Sequence, residues 1–115
     1  MQKFAIKNAY YDGKTVGYLY YEEQSREYEI EIPETVKSYE APLIISDFIE
    51  KNQYRIGKKW SYRWVCQRVI PPERQNIGQI LKANHMTEYD EFKFLVKNEG
   101  RCCQDECYIV KVDEK

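Results

Sequence analysis

Apolar and polar positions change period along the chain, and the changes predict its elements. Residues 3–11 (KFAIKNAYY) and 16–21 (VGYLYY) are rich in aromatic and β-branched types and flank Asp12-Gly13-Lys14-Thr15, a hairpin signal. The run Glu27–Ile32 alternates strictly, which puts Tyr28, Ile30 and Ile32 on one face of a strand and Glu27, Glu29 and Glu31 on the other. Pro33 lacks the amide hydrogen that would continue a ladder, so it closes a three-stranded meander.

Beyond Pro42 the period lengthens. PLIISDFIEKN suits a short helix or a buried strand equally, and the pattern alone leaves both open. From Lys58 to Arg68 the spacing predicts a helix with Ile56, Trp60, Trp64 and Arg68 along one stripe, ended by Pro71-Pro72. Pro72 then suits the first turn of a second helix, about Glu73 to Asn84, whose apolar face is Ile77, Ile80 and Leu81. A third helix is expected from a polar start at Thr87-Glu88-Tyr89-Asp90, with Tyr89, Phe92, Leu95 and Val96 inward and Gly100 as its stop. Residues 107–112 (CYIVKV) read as a last strand. The fold class expected is α+β: an N-terminal antiparallel meander, two or three short helices, and a C-terminal strand returning to the sheet.

With 115 residues and no repeat or Ser/Gly-rich linker, the expectation is one domain spanning 1–115. The N-terminus lacks the apolar core of a secretory signal and no stretch approaches a membrane span, so a cytoplasmic address without membrane association is expected. The four cysteines then read as reduced thiols.

Charge sharpens the picture. Eighteen basic and 19 acidic residues give a formal charge of −1, which argues against a chain devoted to coating phosphates. The sum conceals an asymmetry: residues 1–57 carry 7 basic and 10 acidic groups, residues 58–115 carry 11 and 9. The positive excess concentrates between Lys58 and Arg74, where five cations face Glu73 alone, and both tryptophans lie there too.

Catalytic chemistry finds little purchase. The single histidine, His85, falls near a helix end with no accompanying oxyanion loop, and no phosphate-binding glycine loop occurs. Cys102, Cys103 and Cys107 crowd together, with Cys66 or His85 as a fourth candidate ligand, but the spacing lacks the separated pairs of a zinc site. They read better as small groups packed where the last helix meets the last strand. No enzyme, metal or cofactor is therefore expected.

Binding fits better, because interface anchors are enriched in Trp, Tyr and Arg, the mixture found in residues 54–68. The candidate partner contacts are Trp60, Arg63 and Trp64, with Lys59 beside them; helical geometry commits at least one of the two indoles to the core. The alternative use of residues 54–68 is nucleic-acid binding, with bases stacked on tryptophan, and the acidic total disfavours it. A helix-turn-helix made of the second and third helices is disfavoured too, because Glu88, Asp90, Glu91 and Glu99 would repel phosphate.

The order of short motifs adds a resemblance. Val69-Ile70-Pro71-Pro72-Glu73 with Arg74, then Ile80-Leu81-Lys82, Glu88-Tyr89-Asp90-Glu91-Phe92-Lys93-Phe94-Leu95 and Glu99-Gly100-Arg101-Cys102, resembles the N-terminal domain of the HipA toxin family. Val16-Gly17-Tyr18-Leu19 and Tyr28-Glu29-Ile30 look like that family's first strands. Pro42–Asp47 departs from its S-L-S-L-P stretch, and Cys103-Gln104-Asp105 from its small residues. The kinase-like domain that follows in HipA toxins has no counterpart before Lys115. The chain is thus similar to the HipS-like small components of tripartite HipBST toxin–antitoxin systems. That resemblance implies a non-catalytic antitoxin or accessory subunit docking on a separate HipA-like serine/threonine kinase, with a helix-turn-helix repressor as a further partner.

Overall fold

A computed structural model describes residues 1–112. The α+β architecture expected from the pattern is the one observed. Strands β1 (Gln2–Asn8), β2 (Lys14–Glu22), β3 (Glu27–Glu31), β4 (Arg55–Ile56) and β5 (Cys107–Lys111) form an antiparallel sheet in the order β4-β3-β2-β1-β5. The helices are α1 (Leu43–Glu50), α2 (Lys58–Cys66), α3 (Ile77–Ala83) and α4 (Glu91–Lys97). They number four because the ambiguous segment after Pro42 resolves as a helix, burying Ile44, Ile45 and Ile49.

One face of the sheet is buried, and the alternation seen in the sequence is its cause. Tyr28, Ile30 and Ile32 are at most 2% exposed, while Glu31 is exposed and Glu27 and Glu29 are half-buried. The β1–β2 register slips at Ile6/Lys7: Ile6 faces Gly17 and Lys7 faces Thr15, leaving Val16 as an extra residue. This bulge lets both Val16 and Leu19 turn inward despite their odd spacing.

Strand β1 ends earlier than the aromatic run suggests. Asn8 Oδ1 accepts the Tyr10 amide at 3.1 Å and Asn8 Nδ2 donates to the Glu40 carbonyl at 2.8 Å, so the chain leaves the sheet in a short 3₁₀ turn, Ala9–Tyr11. Asp12 (φ 57°) and Gly13 (φ 75°) complete the reversal in the left-handed region.

Strand β5 lies at a sheet edge but is closed to strand addition over much of its length. The β1–β5 register leaves the Cys107 and Ile109 amides pointing away from β1; they donate to Asp105 Oδ1 at 2.9 Å and the Glu99 carbonyl at 2.8 Å. The opposite edge, β4, is only two residues long.

Three helices end in the same device, with a residue other than glycine in the left-handed position. At α1, α3 and α4 these are Asn52, His85 and Glu99, with φ 58°, 58° and 56°. After α4, Glu99 N donates to the Val96 carbonyl and Gly100 N to the Leu95 carbonyl, satisfying two orphan acceptors. Gly100 therefore follows the stopping residue. His85, the only histidine, is exposed and does the same work after α3.

Helix starts differ most from expectation. Helix α4 begins at Glu91 because Asp90 caps it, its Oδ1 accepting from Phe92 N at 3.0 Å and Lys93 N at 3.3 Å; Thr87 and Glu88 lie outside. Helix α3 begins at Ile77 and not at Glu73. Residues 71–76 are all exposed, so nothing buried offsets the entropy of ordering another helical turn.

Candidate partner-binding face

Helix α2 has two sides with different tasks. Its buried stripe is Ser61, Trp64 and Val65, continued past the helix end by Arg68, an i, i+3, i+4, i+7 pattern. Trp64 is fully buried and Val65 packs with it into the core of the sheet face. Ser61 Oγ donates to the Ile56 carbonyl at 3.1 Å, tying the helix to β4.

Arg68 is buried with its charge compensated. Its guanidinium lies over the Trp64 ring, 3.8 Å from the centroid, while Nη2 meets Asp105 Oδ2 at 2.6 Å and Nη1 meets Cys102 Sγ at 3.1 Å. A fully buried guanidinium needs such a partner, and the pair pins the 101–106 loop to α2. Sequence reasoning placed Arg68 on the helix stripe but missed Asp105; no local signal connects residues 37 positions apart.

The expected role of Trp64 as a partner contact is therefore corrected. The stripe predicted through Trp60, Trp64 and Arg68 is rotated, because Ser61 and Val65 take part in it. At about 100° per residue, Trp60 falls roughly 90° from the centre of the buried face.

Trp60 is 44% exposed and Arg63 and Lys59 are exposed on the outer side of the same helix. The Arg63 guanidinium sits 5.0 Å from the Trp60 ring centroid, one helical turn away, so cation and indole form one presented unit. Lys58 is engaged elsewhere, with Nζ 3.2 Å from the Glu27 carboxylate. Hydrogen bonds from Ser25 and Lys58 hold that carboxyl below its usual range.

Leu43, at the first position of α1, completes the surface. It is 74% exposed and borders, with Trp60 and Arg63, a groove of about 430 Å³ between α1 and α2. The sequence carried a signal for it: in a helix from Leu43, positions 44, 45 and 49 face inward and 43 and 47 do not. Tyr62, 47% exposed, was also missed; its hydroxyl is pushed up to about 12, chiefly by a hydrogen bond with the Cys66 thiol.

The thiols do not act together. Cys66 and Cys103 are exposed, Cys102 is half-buried beneath Arg68, and Cys107 is buried in the core, so the expectation of a packed trio holds for Cys107 alone. Burial pushes the Cys107 thiol up to about 12. Among the described residues no group of three His, Cys, Asp or Glu side chains is placed to hold a metal ion, and no helix is long and apolar enough to cross a membrane.

No family model, curated protein or solved structure matches this chain.

Proposed function

We propose that this chain is a non-catalytic protein-binding module: an antitoxin or accessory subunit that docks on, and restrains, a separate HipA-like serine/threonine kinase. The observation that carries the reading is the Trp60–Arg63 pair, presented beside exposed Leu43 on a helix whose other side is locked by Trp64 and Arg68. A rigid helix offering an indole and a guanidinium loses little entropy on association, and these are the side chains that anchor interfaces. The motif order shared with HipA N-terminal domains, from Val16-Gly17 to Gly100-Arg101-Cys102, supports the choice of a kinase as the partner. A helix-turn-helix repressor completes the assembly that the resemblance implies.

Size-exclusion chromatography of the chain with a HipA-like kinase from the same genome tests this. One joint peak at micromolar concentration, split by Arg63→Glu, is the expected result. Two separate peaks contradict it.

A further inference from the structure

Resting on the docking reading above, we infer that the groove between α1 and α2 receives a partner segment in which an apolar side chain is flanked by carboxylates. Two independent features of the groove select that chemistry.

The first is its apolar rim. Leu43 and Trp60 are both exposed large hydrophobic side chains, and both border one concavity that is also lined by the buried Ile44. Scattered exposed apolar groups are ordinary, whereas two on opposite walls of one groove present a seat for a third. A groove of about 430 Å³ accommodates a leucine or phenylalanine side chain with adjoining backbone.

The second is its charge. Among the described residues no carboxylate lies within 4.0 Å of the Arg63 guanidinium or the Lys59 ammonium. Arg63 thus reaches the groove with its carboxylate-matching donors uncommitted to an ion pair. Lys59 stands one turn before it, and the first turn of α2 contains no acidic residue. Asp47 is the one acid and Arg63 the one cation in the groove wall, and Lys59 adds a second exposed cation outside it on the same helix.

These features also separate a protein segment from a nucleic acid. The Leu43–Ile44 wall offers no side-chain donor to a base, and Arg63 is the one cation in the lining, too few to follow a run of backbone phosphates. Carboxylates spaced about an apolar anchor meet Arg63 and Lys59 while leaving Asp47 in solvent.

The test uses the intact chain and two synthetic peptides of equal length, each with a central Leu-Phe pair, one flanked by aspartates and the other by lysines. Fluorescence anisotropy at low and raised salt reads the binding. The expected result is affinity about tenfold or more tighter for the aspartate peptide, weakening with salt, abolished by Leu43→Ala with Trp60→Ala, and inverted in favour of the lysine peptide by Arg63→Glu. Those side chains are exposed, and circular dichroism verifies that each variant is folded. Absent binding, equal binding of the two peptides, an acidic preference that survives Arg63→Glu, or displacement of the peptide by a thymidine oligonucleotide overturns the inference. The kinase experiment fails separately: joint elution with the kinase but no discrimination between peptides removes the groove chemistry and leaves the docking reading standing.

Discussion

The guanidinium of Arg68 lies over the indole of Trp64 at 3.8 Å, and both side chains are sealed from solvent. This stack divides α2 into a structural side and a presented side, so that two tryptophans four residues apart have opposite fates. Covering the cation with an aromatic face and an acid makes a buried charge tolerable, but leaves the arrangement dependent on Asp105.

Asp105→Asn removes the countercharge and leaves the buried guanidinium short of it. Breaking a buried pair costs about 3–5 kcal/mol, and because the Asp105 side chain is 20% exposed we expect about 2–4 kcal/mol here. Urea denaturation checks this. The double variant Arg68→Met/Asp105→Leu is expected to regain most of the loss, since apolar replacements of a buried pair are well tolerated; a loss below about 0.5 kcal/mol for Asp105→Asn contradicts the account.

Neighbouring residues after α4 predict opposite signs. A Cβ on Gly100 would approach Ile109 Cγ2 to 2.9 Å at φ +68°, so Gly100→Ala is expected to destabilise by roughly 1–3 kcal/mol. Glu99 occupies the left-handed position with a side chain that gains little there, its contact with Arg101 being a 3.9 Å exposed pair. Glu99→Gly is expected to stabilise by about 0.5–1 kcal/mol. Thermal melts of the two variants moving in the same direction would speak against this description of the helix end.

Alkaline pH probes the core through Cys107. Its folded pKa, about 12, lies above the ordinary thiol value of 9.0, with burial as the main cause and Asp105 adding to it. Below pH 9 the thiol is neutral in both states and its contribution is fully present. Between about pH 9 and 12 the unfolded chain releases the proton and the folded chain retains it, so stability falls by about 1.4 kcal/mol per pH unit from this group. Cys107→Ala is expected to show a correspondingly shallower decline over that window. An unchanged slope would mean that the thiol is not buried as described.

Helix α3 is the least anchored element. It contains no buried residue: Ile77, Ile80 and Leu81 form the apolar face that the spacing predicts, but each is only half-covered. Amide hydrogen exchange of residues 80–84 is therefore expected to run orders of magnitude faster than that of β2 and α2, through local opening and not global unfolding. Equal protection across α2 and α3 would contradict it.

What was legible in the sequence was periodic or punctuated. The alternation of Tyr28, Ile30 and Ile32, the strand at 107 and the helix after Gly57 each rest on local rules that tertiary packing did not override. Boundaries failed where side chains intervened: Asn8 folds back on the backbone and Asp90 captures the start of α4. The site was half legible. Trp60, Arg63 and Lys59 are exposed, whereas Trp64 lies in the core because the inward stripe runs through Ser61 and Val65. The Asp105 that compensates the Arg68 stacked on its ring lies too far along the chain for any periodicity to read. Leu43 was hidden by the ambiguity between helix and strand after Pro42.

The central claim is that the outer side of α2 is a binding surface, and calorimetric titration of the HipA-like kinase with the wild-type chain and Trp60→Ala tests it most directly. An anchoring indole lost from an interface weakens binding by at least about 1.4 kcal/mol, a tenfold rise in Kd, with folding unchanged because Trp60 lies outside the core. Kinase affinity identical for the two proteins would contradict the account.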